Sequence, residues 1–151
     1  ETKTIFAAYT CKDKDQSIVA TGEFQGDYDA NRYEQPSSFN RVAGTWSGLD
    51  FSTTNNNVEL VLEVLQEDGV VNGENDIGCF YAGQIDLIDP AFNLYGISLT
   101  VSNCLLINGT YAGLATLTPG MDGTPDEFIY QVDNGTIILT QPVFQFITPT
   151  P

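Results

Sequence analysis

The chain has 151 residues, 42% of them hydrophobic and 11% aromatic, which fits one globular domain and excludes a disordered segment. Its net charge of −15 opposes binding to phosphate backbones and anionic lipid surfaces. With no His anywhere, and no Lys or Arg from Val42 to Pro151, imidazole bases, Ser-His and Cys-His pairs and imidazole metal ligands are excluded, and the main body has no cation for an oxyanion or phosphate.

Residues 1–41 hold every basic residue: Lys3, Lys12, Lys14, Arg32 and Arg41. They read as a hairpin, Thr4–Thr10 with Ile18–Gln25, broken at Lys12 to Gln16, then a polar link containing Tyr28, Tyr33 and Phe39. This stretch is read as part of the same domain as the main β body, residues 42–151. The link's three aromatics are the ones expected at the surface, where they would stack on a ligand. Asp27, Asp29, Asn31 and Glu34 alternate oxygen ligands as the start of a calcium loop does. An EF-hand needs Gly at the sixth position, where Arg32 stands, and a bidentate Glu at the twelfth, so a solvated acidic loop is the competing reading. Calcium is the one cofactor this pattern suggests; no other is expected.

From residue 42 onward the dominant period is two. Val58, Leu60, Leu62 and Val64 share one face of a strand, with Glu59 and Glu63 opposite. Tyr95, Ile97, Leu99 and Val101 repeat the pattern, and so do Phe128, Tyr130 and Val132. Such alternation marks half-buried antiparallel strands. Turn signals fall at Asn55 to Asn57, Asp68-Gly69, Asp89 to Asn93, Asn108-Gly109, Thr118 to Pro125 and Asn134-Gly135. The Asn-Gly pairs are the ones type I′ turns prefer, because both central residues need positive φ. Asn108-Gly-Thr110 and Asn134-Gly-Thr136 also fit the glycosylation sequon, explained first as turns. The fold class is therefore all-β: a single antiparallel barrel or sandwich of about 8–10 strands. The tail, Gln141 to Pro151, is apolar, and Pro142 assigns it to an edge strand or an extension.

Cys79 and Cys104 flank the turn at Asp89–Asn93, with their midpoint inside it. In an antiparallel hairpin they stand opposite or one place off, and opposed Cβ atoms approach to about 4.5–5.5 Å, near disulfide range. Closure of that loop is worth about 3 kcal/mol in the chain-entropy model. Two buried free thiols are the alternative. Cys11 is the odd one, left buried, paired to another chain or competing for one of the others. A disulfide implies an oxidising compartment: secreted, periplasmic or on the outer cell surface.

Gly44-Thr45-Trp46 resembles the first strand of calycin-type barrels such as lipocalins, fatty-acid-binding proteins and avidins, in which the Trp plugs one barrel end. Avidin-like proteins carry several further Trp residues around biotin; this chain has one, so biotin is not implied. A longer resemblance runs through Gly44-Thr45-Trp46-Ser47-Gly48, Glu67 to Gly73, Gly78-Cys79, Leu99 to Cys104 and Gly109 to Ala115. It is similar to the small β-domains of uncharacterised secreted, lipoprotein-type proteins of proteobacteria. That resemblance implies a surface or periplasmic home and the 79–104 bridge, and no activity. Gly44–Leu49 also echoes Gly109–Leu114 within the chain.

Carboxylates alone can hydrolyse glycosides. Glu67, Asp68, Glu74 and Asp76 cluster around one turn and could share a cation; Asp122, Asp126 and Glu127 read as a polar loop. The expected role is a non-catalytic secreted or cell-surface domain, adhesive or structural, with a protein or glycan partner, no nucleic acid and no transmembrane segment. The alternatives are a self-assembling filament subunit, exchanging a strand from Thr2–Tyr9 or Gln141–Ile147, and a carboxylate-only glycoside hydrolase.

Overall fold

The computed structural model describes residues 3–12, 15–50, 58–120 and 124–145, with the backbone alone at Lys3, Ile5, Ala7, Tyr9 and Phe24. The expected break at Asn55–Asn57, Asp122 and the tail beyond Gln145 lie outside these residues. The chain forms two compact units, Glu1–Glu34 and Gln35–Pro151.

In the first unit β1 (Lys3–Lys12) and β2 (Ile18–Tyr28) form a two-stranded antiparallel sheet. Thr4 stands opposite Asp27 and Thr10 opposite Thr21, and the register slips between Cys11 and Lys12. Gln16 takes positive φ in the turn. One helical turn, α1 (Ala30–Tyr33), follows, capped by Asp29, whose Oδ1 accepts from the Asn31 amide.

The second unit is a closed eight-stranded antiparallel barrel, so the sequence's choice between barrel and sandwich falls to the barrel. After the single turn α2 (Phe39–Val42) come β3 (Gly44–Leu49), β4 (Glu59–Val64), β5 (Val70–Asn75), β6 (Phe80–Leu87), β7 (Tyr95–Ser102), β8 (Gly109–Thr118), β9 (Glu127–Asp133) and β10 (Ile138–Gln145). Each strand pairs with the next, and β10 returns to β3. The period-two residues point inward: Leu60, Leu62, Val64, Ile97, Leu99, Val101, Phe128, Tyr130 and Val132 are all buried. Inward side chains fill a barrel of eight strands.

Alternating strand direction gives the barrel two ends. The near end holds α2 and the β4–β5, β6–β7 and β8–β9 connections. The far end holds the β3–β4, β5–β6, β7–β8 and β9–β10 connections. Trp46 closes the near end, fully buried, its ring 5.5 Å from that of Phe128, which lies 6.4 Å from Tyr95. The segment before β3 folds over this end: the Ser37 amide donates to the Pro90 carbonyl at 3.1 Å, and Phe39 packs against the core. Glycines let neighbouring strands approach where the barrel curves. A Cβ at Gly83 or Gly113 would collide with the carbonyl of Ser98 or Gln131.

Two expectations are corrected. Pro142 is neither at an edge nor in an extension; it sits within β10, opposite Ile129 of β9. On its other side the register with β3 consists of Phe144 opposite Ser47 and Gln145 opposite Trp46. Pro142 therefore stands beyond the β3 ladder, where its missing N–H costs little. The Gln141 side-chain amide donates to the Leu49 carbonyl there instead. The Asn-Gly pairs do mark connections between strands, but not type I′ turns, since neither Asn108 nor Asn134 has positive φ. Both act through the side chain. Asn134 Oδ1 accepts from the Thr136 and Ile137 amides, and Asn108 Oδ1 accepts from the Cys104 amide, closing longer loops than a two-residue turn.

Candidate functional site

The far end of the barrel gathers the bridge, a buried carboxylate and an exposed apolar tip. Asn75, the last residue of β5, organises the β5–β6 connection. Its Oδ1 accepts from the Ile77 amide at 3.2 Å and the Cys79 amide at 2.8 Å. Its Nδ2 donates to Asp50 Oδ2 at 2.7 Å. Gly78 takes φ +88, which L side chains rarely adopt, and completes the turn. Cys79 is bonded to Cys104, with Cα atoms 5.0 Å apart. Since Phe80 stands opposite Ser102, the two cysteines are one place off register, as the hairpin midpoint allows. Asn103, at φ +59, donates from Nδ2 to the Gly78 carbonyl at 2.7 Å. Two loops are thus held together by a covalent and a hydrogen bond. They present Ile77, Leu105 and Leu106 to solvent, with Leu106 78% exposed.

Beneath this tip Asp50 is buried, and its Oδ2 accepts from Tyr81 Oη at 2.6 Å as well as from Asn75. Two neutral donors therefore converge on one carboxylate oxygen. Burial pushes the Tyr130 phenol well above its ordinary range, and the neighbouring Tyr81 and Asp50 add to that. A cavity of about 50 Å³ lies among Asp50, Tyr81, Leu99, Tyr130, Leu139 and Gln141. It has room for about one water and none for a substrate. The arrangement fixes the end of β3 against β5 and β6; it is a structural polar lock.

The residues expected to bind ligands are placed as follows. Asp27 lies in β2 opposite Thr4, and Asp29 caps α1 with Arg32 Nε 4.0 Å from its other oxygen. Glu34 Oε1 accepts from Tyr28 Oη at 2.9 Å. Partial removal from water, then this carboxylate, pushes Tyr28 up to about 12. Among the described residues, no three His, Cys, Asp or Glu side chains converge to hold a metal ion. Tyr28 and Tyr33 meet edge to face with ring centres 5.6 Å apart. Phe39 belongs to the barrel unit, where it is partly buried and packs on the core. Cys11 is free and exposed.

The acidic set around the β4–β5 turn is also divided. Glu67 and Asp68 lie in the near-end connection, where Asp68 Oδ1 accepts from the Val70 amide. Glu74 and Asp76 lie beyond them along β5 toward the far end, about 20 Å away at the rise of an extended strand. There they flank an open outer groove with Glu59 and Glu63, floored by Val61 and Gly73. Sequence reasoning missed Asp50 and the Ile77–Leu105–Leu106 tip. The signal for the tip is Leu105-Leu106 itself, two adjacent leucines that break the period of two between Cys104 and Asn108-Gly109. No helix among the described residues is long and apolar enough to cross a membrane. No protein-family model, curated protein or solved structure matches this chain.

Proposed function

We propose that this is a non-catalytic secreted or cell-surface domain that binds a protein partner through the bridged far end of its barrel. The observation that carries the reading is the exposure of Ile77, Leu105 and Leu106 on loops tied by Cys79–Cys104. Apolar side chains held in water cost the free protein about 25 cal/mol per Å², and a covering partner recovers that. A pinned loop also loses little freedom on binding. The filled interior supports the same reading, because it leaves the outer surface to carry the role. A tip of leucines suits a protein more than a glycan, whose sugars stack on aromatic faces. The disulfide supports an oxidising compartment.

The test is capture of partners from cell-surface or extracellular extracts by the intact protein and by a Leu105→Ser/Leu106→Ser variant. Capture should fall at least tenfold in the variant with its melting temperature unchanged. Equal capture by both, or turnover of a polysaccharide abolished by a single Asp or Glu substitution, overturns the reading. A second reading, self-association by strand addition, has its own observation. Among the described residues the barrel is closed and offers no free strand edge, whereas the two-stranded β1–β2 sheet has an edge on each side.

A further inference from the structure

We infer that two copies of this chain associate through the outer edge of β1, pairing the strand antiparallel with itself across a two-fold axis. The inference rests on the self-association reading and names its surface. Three observations carry it.

The β1–β2 sheet has only two strands among the described residues. An isolated hairpin is at best marginally stable in water, and three or more strands are needed for independent stability. None of the described side chains in Glu1–Glu34 is buried, and Phe6, Ile18 and Val19 are largely exposed. A second hairpin added edge to edge gives four strands.

The two free edges differ in how they are guarded. β2 carries Glu23 and Asp27 together with Gly22 and Gly26, and charges and glycines discourage edge pairing. Between Lys3 and Lys12, β1 reads Thr-Ile-Phe-Ala-Ala-Tyr-Thr-Cys, with no charge, no Pro and no Gly. Such a run is a template for a further strand.

The run is also self-complementary. With Ala7 on the axis, Thr4 stands opposite Thr10 of the second copy, Ile5 opposite Tyr9 and Phe6 opposite Ala8. Thr–Thr and aromatic–β-branched pairs are among the favourable cross-strand pairs. A slip of one residue in one direction sets Lys3 opposite Lys12 of the second copy, and like charges directly opposite disfavour that register. The contact is isologous and closes at two copies.

The test uses the full chain carrying Cys11→Ser, so that chance oxidation adds no dimer, and reads mass by light scattering across a concentration series. The expected result is a mass twice the 16.4 kDa of one chain. Thr4→Lys/Thr10→Lys should halve it, because each substituted position then faces its like, while within the hairpin Thr4 faces Asp27 and Thr10 faces Thr21. Mixing that variant with Thr4→Glu/Thr10→Glu/Asp27→Asn should restore a dimer containing one chain of each kind. A monomer at every concentration overturns this inference and self-association together. A long polymer, a dimer indifferent to the lysines, or no mixed dimer overturns the β1 pairing alone.

Discussion

The Trp46 indole and the Tyr111 hydroxyl make the same contact at opposite ends of the barrel. Nε1 of Trp46 donates to the Val42 carbonyl at 2.8 Å, and Oη of Tyr111 donates to the Ile107 carbonyl at 2.8 Å, each four residues back. Both side chains are fully buried, and both are the third residue of their strand. Two residues further on, Gly48 and Gly113 each let the adjacent strand's backbone come close. The echo between Gly44–Leu49 and Gly109–Leu114 is therefore one local structure used twice. Each aromatic plugs an end and ties its own lead-in segment to the strand.

Tyr111→Phe keeps the ring and removes the donor, leaving the Ile107 carbonyl without it inside the far end. The expected cost is about 1–3 kcal/mol. Trp46→Phe removes a donor and also leaves a void among Phe128, Tyr95 and Val42, so it should cost more, about 3 kcal/mol or above. Urea unfolding of the two variants checks the order; a larger loss for Tyr111→Phe would refute the account of the near-end plug.

Asp50 should respond to truncation as a lock does. Asp50→Ala leaves Tyr81 Oη and Asn75 Nδ2 without this acceptor in a buried site, and a loss of about 1–3 kcal/mol for each is expected. Tyr81→Phe alone should cost about 1–2 kcal/mol. Combined with Asp50→Ala it should add less than that, because the pair shares one bond. Full additivity in denaturant melts would show that the bond carries no coupling energy.

How much of this was legible depends on the range of the interaction. Period-two strands such as Leu60–Leu62–Val64 are local, and the fold bears them out; so is the turn at Asp89–Asn93, which centres the Cys79–Cys104 bridge. Pro142 misled because the rule against central-strand proline presumes full ladders on both sides, and the β10–β3 seam is short. Asn108 and Asn134 misled because their side chains can cap a longer loop as readily as their backbones can take positive φ. Asp50 gave no signal, since its partners lie 25 and 31 residues away. Its burial depends on which strand ends meet.

The bridge should matter for local order as much as for global stability. Cys79→Ala/Cys104→Ala frees a loop of the length that costs about 3 kcal/mol, or roughly 10 °C in melting temperature for a domain of this size. The Asn103–Gly78 bond alone then joins the two loops. Amide exchange should accelerate at Ile77, Leu105 and Leu106 well before it does in β7. Unchanged exchange there would mean that the loops hold their places without the bridge, and would remove pre-organisation from the binding proposal.

Alkaline pH should unfold the barrel, and the tyrosines say where. Burial is the main cause that raises Tyr95, Tyr111 and Tyr130, Tyr130 furthest. In the unfolded chain a phenol ionises near about 10. Below that value both states keep the proton, and the neutral phenols' contribution to stability is fully present. Above it the unfolded state loses protons that the native state retains, so stability falls with rising pH until the native values are reached. Each such phenol contributes a slope of about 1.4 kcal/mol per pH unit, so three together give roughly 4. Cooperative loss of structure should therefore set in above about pH 10, with phenolate absorbance rising in the same step. Tyr130→Phe removes the most strongly shifted phenol and should move the midpoint to higher pH. Gradual ionisation of all the phenols near 10, with β-structure intact, would show that these side chains are open to water and that the barrel interior is not filled as described.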